Sequence, residues 1–432
     1  MSRTFTPAGS PAVHRRPAGL GVKGVVATVL GNAIEFYDFT SYAAFATQIG
    51  NAFFPSGSAF VSLLASVTLF GAGFLTRPLG GLLIGAYADR AGRRPAMTLT
   101  IVMMALGSFM IAIIPSYATI GLAAPLLVVI ARLIQGFALG GEVGPSTAYL
   151  LEAAPRRWRT FYGSWQSSSQ NIASLVAGAL GFALAQGLAP GQLDEWGWRV
   201  PFALGVLALP VGLYIRRRLE ETLDHRRAHK SARHIIVQTA TAHWGPIIAG
   251  IVAVAGATIA TYVNLYMTTY AQQTLGMPVG KSMLATLTVG AVGIGAAIAG
   301  GWLADRIGRR WVMVAPRLAL GLLVIPAFFY LNEARSVTAL LTMTGLFTLL
   351  NSFSAGSVIV QVTDSFPQAV RSTATAAAYA LSVAVFGGST QAVVTWLISV
   401  TQDPVAPAYY VAAVSIPSAI AAWMMRSAAE DA

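Results

Sequence analysis

A ten-residue segment occurs twice in this chain, and the two copies lie half a chain length apart. The first copy, GAYADRAGRR at residues 85–94, returns 216 positions later as GWLADRIGRR at residues 301–310 of a 432-residue sequence, with seven of the ten positions identical. A second set of four residues recurs at an offset of 212, where Glu152, Pro155, Arg159 and Thr160 match Asp364, Pro367, Arg371 and Ser372. Two matches at nearly one offset indicate a duplicated unit.

Long apolar runs flank both copies of the repeated segment and predict a membrane protein. The chain is 55% hydrophobic and only 10% charged, against about 25% charged in a typical soluble domain. A helix needs about 20 mostly apolar residues to cross a bilayer. We therefore expect an all-α membrane protein with twelve transmembrane helices at 22–46, 59–84, 97–115, 121–145, 161–186, 200–216, 244–270, 282–303, 312–331, 336–361, 372–400 and 407–426.

The predicted helices divide into two sets of six around a polar segment rich in Arg and Glu. Duplicated six-helix units are typical of parallel-repeat membrane transporters. The predicted organisation is an N-terminal tail at 1–21, a first half at 22–216, a central loop at 217–243, a second half at 244–426 and a C-terminal tail at 427–432.

The basic residues predict the orientation in the membrane. Loops that carry the repeat, the central loop and both tails hold nearly all Lys and Arg, whereas the opposite loops hold only Arg199, Lys281 and Arg335. Because positive residues stay on the cytoplasmic side, we expect both termini to be cytoplasmic, in a bacterial plasma (inner) membrane. The polar first twenty residues do not form a cleavable signal peptide.

The residues that several classes of protein function require are missing from this sequence. The chain has no cysteine, and its five histidines all lie outside the predicted helices, so we expect no metal site. The sequence has no nucleophile constellation, cofactor motif or phosphate-binding loop, which argues against an enzyme and predicts no cofactor. The net charge of +12 reflects the Lys and Arg residues that cluster in loops at one membrane face. We therefore expect a lipid bilayer as the surrounding partner and no nucleic acid.

Ionisable residues inside the predicted helices are the first candidates for function, because each costs about 2.5–3.5 kcal/mol on insertion scales. Arg132 lies about eleven residues into its helix, at a depth of ~16 Å, and needs an anionic partner there. It either binds a substrate carboxylate or drives proton release, or else forms a fixed salt bridge with Glu35 or Asp38. The full set is Glu35, Asp38, Arg77, Arg132, Glu142 and Arg317.

Glu35 and Asp38 are three residues apart and share one face of the first helix. A buried carboxyl group tends to keep its proton, and a nearby cation favours proton loss. Since no histidine lies in the membrane, these two residues and Arg132 are the expected proton-coupling groups; a packing network that never titrates is the alternative. We expect Arg77 to attract anions or pin the neighbouring loop, and Arg317 to extend towards the membrane surface.

Neutral polar side chains inside the helices are candidates for substrate contacts. The run from Gln166 to Asn171 covers every face of the fifth helix, so at most half of it can face a cavity; hydrogen bonding between helices is the alternative role. Tyr262 and Tyr266 share a face of the seventh helix. The predicted substrate-binding set is Arg132, Gln166, Ser169, Gln170, Tyr262, Tyr266 and Asn351.

The repeated segment resembles the loop between helices two and three, and again between eight and nine, of the major facilitator superfamily. In that family the loop is a conformational latch, a contact that holds one conformation, and does not bind substrate. The resemblance assigns that role to Asp89, Arg93, Asp305 and Arg309. It also implies the twelve-helix major facilitator fold.

Five further motifs, at residues 31–39, 71–80, 132–142, 165–170 and 195–202, resemble the metabolite–proton symporter branch, most closely its citrate and tricarballylate symporters. The resemblance implies a monomer that imports a carboxylate with protons by alternating access, its partners being a small organic anion and protons. Other substrates of the branch (dicarboxylates, shikimate, betaine or proline) remain open, as does export. A channel or a membrane enzyme fits the repeated loops and the missing catalytic residues less well.

Overall fold

The chain folds into a bundle of long helices, and the computed structural model describes residues 22–91, 93–141, 146–147, 149–151, 154–189, 191–207, 209–217, 244–365 and 378–425. Both tails and, apart from Arg217, the central loop of the sequence prediction lie outside the described residues, as does Glu142. No β-strand occurs in the described part of the chain, as expected for an all-α membrane protein.

The long helices are numbered in chain order. Before the central loop they are α1 (Val22–Ala44), α2 (Ala59–Leu75), α3 (Arg77–Ala91), α4 (Arg93–Ile113), α5 (Ala123–Gly140), α6 (Arg159–Gly187), α7 (Val200–Leu207) and α8 (Leu209–Arg217). After it come α9 (Trp244–Gln273), α10 (Val279–Ile307), α11 (Arg309–Ala334), α12 (Val337–Asp364), α13 (Gly388–Thr401) and α14 (Ala406–Met424). Short helices occur at Ala46–Phe53, Tyr117–Ile120 and Gln192–Glu195, and a π-helical turn at Val383–Gly387 leads into α13.

Eleven stretches of the described residues are helical, long and apolar enough to cross a membrane. α2 and α3 form one of them, Ala59–Gly85, because Pro78 lies in the first turn of α3, where a missing N–H costs no helical hydrogen bond. α1, with 23 residues, makes the twelfth. Its mean hydropathy is lower because it buries the polar residues Asn32, Glu35 and Asp38. The twelve-helix prediction is confirmed.

The outer surface of the bundle is apolar. Leu322 of α11 is 74% exposed and Leu126 of α5 is 62% exposed, on helices whose inner faces are buried. Apolar side chains in such numbers would be a liability in water but match the hydrocarbon of a bilayer. The protein is therefore an integral membrane protein.

Helices α6 and α10 join the helices before the central loop, α1 to α8, to those after it, α9 to α14. A side chain at Gly178 of α6 would overlap the backbone of Leu287, and one at Gly290 of α10 would overlap Leu175. Small residues let two helix backbones approach closely where van der Waals contact, not the hydrophobic effect, holds helices together. This contact line runs beside the cavity described next.

Candidate functional site

A cavity of about 90 Å³ lies between the two sets of helices. The helices before the central loop supply its polar wall, made of Arg77, Thr147, Gln166, Ser167 and Gln170, together with Phe36. The helices after the loop supply an apolar wall with four hydroxyl groups, from Thr258, Thr261, Tyr262 and Tyr379. A small polar molecule held here would contact both sets at once.

Arg77 is the charged side chain of this cavity among the described lining residues. It is 5% exposed, and its guanidinium lies 3.6 Å from the centroid of the Phe74 ring and 4.7 Å from that of Phe39. Its Nε and Nη2 atoms have no hydrogen-bond partner in the described part of the chain. A guanidinium with donors unused inside a cavity is suited to bind an anion.

The position of Arg77 follows from close packing of α2 and α3 on α5. The Thr76 hydroxyl donates to the Leu133 carbonyl at 2.8 Å. A Cβ atom at Gly140 would overlap the backbone of Arg77 itself, so α5 touches the first turn of α3 directly. Glycine is required at that close approach, and the contact fixes where the arginine side chain begins.

The predicted substrate-binding residues divide into two groups. Gln166, Gln170 and Tyr262 line the cavity. Gln166 is also held in place, because its Nε2 atom donates to Asn32 Oδ1 at 3.2 Å. The residues Arg132, Ser169, Tyr266 and Asn351 are not among its lining residues.

The residues off the cavity have partners of their own. The Ser169 hydroxyl accepts a hydrogen bond from Asn32, and the Tyr266 hydroxyl accepts one from Thr395 at 3.0 Å. Asn351 donates to the hydroxyl of Thr261 at 2.9 Å. Because Thr261 lines the cavity, Asn351 supports the cavity wall from behind.

Arg132 is fully buried beside the cavity. Its Nη1 atom donates to Gln135 Oε1 at 2.8 Å, and its guanidinium lies 4.2 Å from the Phe39 ring and 4.4 Å from the Tyr42 ring. The direct salt bridge to Asp38 that the sequence left open is absent among the described residues. Aromatic faces provide part of the stabilisation that a carboxylate would give.

Glu35 and Asp38 are both buried on α1, Glu35 with no exposed surface and Asp38 with 3%. Glu35 accepts a hydrogen bond from the Thr100 hydroxyl at 3.4 Å, and Asp38 accepts one from the Ser108 hydroxyl. Both donors lie on α4. Neither carboxylate is among the described residues that line the cavity.

Phe39 connects the cavity to these buried charges. Its ring contacts the guanidinium of Arg77, with a distance of 4.7 Å, and that of Arg132, with a distance of 4.2 Å. Both contacts are within the range of cation–π interactions. The two guanidiniums therefore share one aromatic ring as a contact.

The second copy of the repeated segment joins the two sets of helices at the end of the bundle that carries residues 85–94 and 301–310, here termed the repeat-loop face. Asp305 accepts hydrogen bonds from the backbone N–H groups of Thr160 at 3.0 Å and Phe161 at 2.8 Å. It thereby caps the first turn of α6. Arg309 and Arg159 bind the two carboxylate oxygens of Asp364, at 2.6 and 3.0 Å.

The two copies of the repeat differ in their packing. A Cβ atom at Gly301 would lie 2.6 Å from the Ser164 hydroxyl oxygen, whereas no described atom lies within 4 Å of one at Gly85. The side chains of Asp89 and Arg93 lie outside the described part of the structure.

The predicted position of Arg317 near the membrane surface is wrong. Its side chain is 2% exposed, and its Nη1 donates to Asn351 Oδ1 at 2.9 Å and its Nη2 to the Ser354 hydroxyl at 3.1 Å. The physical reason is that α11 begins at Arg309, so Arg317 lies two turns inside the helix, where α12 offers neutral acceptors.

Ser108 and Gln135, which lie between Asp38 and Arg132, were not predicted from the sequence as site residues. A signal was available for Gln135, since residues three apart on a helix share a face and Arg132 precedes it by three. Ser108 is an isolated hydroxyl in an apolar run, a pattern too common to single it out.

Comparison with known proteins identifies relatives over nearly the whole chain. Residues 28–391 match the Major Facilitator Superfamily. The citrate–proton symporter of Klebsiella pneumoniae is 40% identical, with 92% of this chain and 90% of that protein covered. The citrate–proton symporter of Salmonella typhi is 36% identical, covering 93% and 92%. The proline/betaine transporter of Escherichia coli strain K12 is 33% identical, covering 94% and 84%.

Solved structures share the fold at low sequence identity. A partially occluded, inward-open xylose transporter from E. coli matches with a TM-score of 0.75 and 16% identity, covering 94% of this chain and 98% of that one. A D-xylose–proton symporter matches with a TM-score of 0.73 and 19% identity, covering 93% and 97%. The named relatives are transporters, which confirms the expectation that the chain is not an enzyme.

Proposed function

The chain belongs to the major facilitator superfamily, and from that premise we propose that it is a proton-coupled symporter that imports citrate or a related tricarboxylate, such as tricarballylate, by alternating access. The observation that carries this proposal is the Arg77 guanidinium, which lines a cavity between the two sets of helices and has two donors without a partner among the described residues. Support comes from two citrate–proton symporters that are 40% and 36% identical to the chain.

The substrate carboxylates are proposed to bind Arg77, with hydrogen bonds from Gln166, Gln170 and Tyr262. Arg77 presents the fixed fork of donors that pairs with a carboxylate. Since no second cation lines the cavity among the described residues, a partly protonated form of a tricarboxylate suits the site better than the trianion. Ser169, Tyr266 and Asn351, predicted as ligands, are proposed to reach the substrate only in another conformation.

Glu35, Asp38 and Arg132 are proposed as the proton-coupling groups. They are buried together on α1 and α5, off the cavity, so the proton and the substrate occupy separate places. Coupling between them then runs through Phe39, which contacts both Arg77 and Arg132. Protonation of a carboxylate favours substrate loading, and its deprotonation, aided by Arg132, favours release inside.

The halves at 22–216 and 244–426 are proposed to rock about the cavity, with the loop at 217–243 as their linker. Asp305 and Arg309 would hold one conformation through α6 and Asp364, at distances of 2.6–3.0 Å. Asp89 and Arg93 are proposed as the equivalent contact in the first half. We place the repeat-loop face and both termini in the cytoplasm of a bacterium, and the functional unit is a monomer in the inner membrane.

A second candidate, an osmolyte carrier for betaine or proline, has one observation in its favour. The aromatic side chains of Phe36, Tyr262 and Tyr379 line the cavity, and Arg77 is the one cation among its described lining residues. A zwitterion needs an aromatic face for its ammonium group and one arginine for its carboxylate. A proline/betaine transporter at 33% identity is consistent with this alternative.

Uptake into liposomes tests the proposal. The purified protein is reconstituted, a pH gradient is imposed, and the accumulation of labelled citrate, tricarballylate, shikimate and glycine betaine is compared. Citrate or tricarballylate should accumulate, and an uncoupler should abolish the accumulation. Accumulation of betaine alone would establish the second candidate, and failure of every carboxylate to accumulate would refute the first.

A further inference from the structure

A chain of buried hydrogen bonds links Arg132 to Asp38. Arg132 Nη1 donates to Gln135 Oε1 at 2.8 Å, Gln135 Nε2 donates to the Ser108 hydroxyl oxygen at 3.0 Å, and the Ser108 hydroxyl donates to Asp38 Oδ2. Arg132, Gln135 and Ser108 have no exposed surface, and Asp38 has 3%. Three helices, α1, α4 and α5, contribute to it.

The donor and the acceptor in each of these hydrogen bonds follow from the chemistry of the side chains. A guanidinium can only donate hydrogen bonds, so the amide oxygen of Gln135 must face Arg132. Its NH₂ group must then face Ser108, whose oxygen accepts. The single hydroxyl hydrogen of Ser108 is left to choose between Asp38 and the backbone carbonyl of Met104, at 3.0 Å.

That choice depends on the proton of Asp38. When Asp38 is ionised, it accepts, and the hydroxyl of Ser108 points to it. When Asp38 is protonated on Oδ2, it donates to the second lone pair of the Ser108 oxygen, and the hydroxyl turns to the carbonyl of Met104. Every bond of the chain is satisfied in both states, and only one hydroxyl rotates.

The surrounding backbone is shaped to hold this chain. A Cβ atom at Gly107 of α4 would overlap the side chain of Gln135, and one at Gly205 of α7 would lie 2.5 Å from Asp38 Oδ1. Both side chains therefore lie directly against glycine backbone. A substituent at Gly107 would displace Gln135, and one at Gly205 would displace Asp38.

The charged and titratable groups that face Asp38 are few among the described residues. From across the interface, α5 presents Arg132, and Asp38's own helix carries Glu35 and Tyr37. The helices α4 and α7 present Ser108 and Gly205 to it, and neither residue titrates. Arg132 is thus the group whose position responds to the charge of Asp38.

We propose that Ser108 and Gln135 are positioning residues that transmit the protonation state of Asp38 to Arg132, and so to the cavity through Phe39. This inference rests on the proton-coupling role proposed above for Asp38. With Asp38 ionised, the Ser108 hydroxyl stabilises the carboxylate and keeps Gln135 and Arg132 aligned towards it. With Asp38 protonated, the hydrogen bonds of the chain remain, but the attraction between Asp38 and Arg132 is lost. Arg132 is then held less strongly and moves more readily with Arg77 when a substrate anion binds.

Variants of Ser108 test the inference in proteoliposomes, with citrate as the probe. Ser108→Ala should lower proton-driven accumulation by about tenfold, the loss expected for a hydrogen bond to a charged group, while citrate exchange without a pH gradient continues. Because the carboxylate loses a donor, it should keep its proton to a higher pH, and the pH profile of uptake should move upwards. Ser108→Thr, which retains the hydroxyl, should restore both properties.

Three further variants separate the possible outcomes. Ser174→Ala is the matched control, because it removes a buried hydroxyl whose hydrogen-bond partner among the described residues is the carbonyl of Gln170 on its own helix; it should behave as wild type. Gln135→Met should reproduce the effect of Ser108→Ala, and it serves as the test if Ser108→Ala does not fold. If Asp38→Asn abolishes accumulation but Ser108→Ala and Gln135→Met leave accumulation and the pH profile unchanged, the inference is wrong and the proposed function stands. Full accumulation by Asp38→Asn would refute the coupling role itself.

Discussion

Arg77 and Arg132 are two buried cations held mainly by aromatic rings. Phe39 contacts both guanidiniums, Phe74 contacts Arg77 at 3.6 Å, and Tyr42 contacts Arg132 at 4.4 Å. Each contact contributes about 0.5–2 kcal/mol, whereas a charge costs about 2.5–3.5 kcal/mol on insertion into a bilayer. Such a balance keeps both cations in place while leaving them able to gain from an anion.

Replacement of Arg77 should weaken substrate binding. Arg77→Gln removes charge-assisted hydrogen bonds worth about 1.5–3 kcal/mol, so the KM for the transported anion should rise about 10- to 100-fold. Arg77→Lys should recover only part of this, because a lysine cannot pair with a carboxylate through two parallel bonds. Initial rates of uptake over a range of concentrations measure the effect. Lys281→Gln, at an exposed site, is the control, and an unchanged KM for Arg77→Gln would exclude Arg77 as a ligand.

The sequence identified the buried charges at the scale of single residues, but not which of them face the cavity. Depth along an apolar run singles out Arg132, and the structure does bury it completely. Its orientation depends on how α5 packs, and every face of that helix is apolar enough to turn inwards. Arg77 begins α3, and the single residue Thr76 separates it from the end of α2 at Leu75. Hydrophobicity alone does not reveal this junction, which sets the position of Arg77 in the cavity.

At the scale of helices, the second copy of the repeat connects α10 to α6. The carboxylate of Asp305 caps the first turn of α6 through two backbone N–H groups, an interaction worth about 0.5–2 kcal/mol. Its negative charge also lies at the positive end of the α6 helix dipole, which is a favourable interaction. An energy of this size is compatible with the proposed role of Asp305 in holding one conformation of a transport cycle.

The duplicated glycines give a matched pair of substitutions. Gly301→Ala would place a Cβ 2.6 Å from the Ser164 hydroxyl oxygen and 2.9 Å from the Thr160 carbonyl, so we expect overpacking to cost about 1–3 kcal/mol. Gly85→Ala meets no described atom within 4 Å and should gain up to about 1 kcal/mol of helix propensity. Thermal unfolding in detergent should therefore give a lower apparent Tm for Gly301→Ala. Equal Tm values would contradict the packing difference between the two copies.

Apolar runs predicted the helices closely because the bilayer sets their minimum length. The predicted run 59–84 corresponds to Ala59–Gly85. Helix α12 continues to Asp364, past the predicted end at 361, because a helix can extend beyond the hydrocarbon with polar residues. The π-helical turn at Val383–Gly387 was not predicted, since it depends on contacts between helices rather than on hydrophobicity.

At the scale of the whole molecule, contacts join the two sets of helices on both sides of the cavity. Asp305 and Arg309 make them at the repeat-loop face, and Gln273 donates to the Thr47 hydroxyl at 3.3 Å towards the opposite face. Glu35 and Asp38 are buried carboxylates of the first half. In the second half, the buried Asp364 is paired with Arg159 and Arg309, and Arg317 has neutral partners. The repeat is consistent with the proposed movement of two similar halves, and the position of Glu35 and Asp38 is consistent with the proposed coupling role of the first half.

The most direct test is whether proton entry accompanies substrate entry and depends on Asp38. Proteoliposomes that contain a pH-sensitive dye receive external citrate with no imposed gradient, and internal pH and labelled citrate are followed together. The wild-type protein should acidify the interior as citrate enters, and Asp38→Asn should exchange citrate without acidification. Citrate entry without acidification in the wild type, or equal acidification by Asp38→Asn, would contradict proton-coupled transport through Asp38.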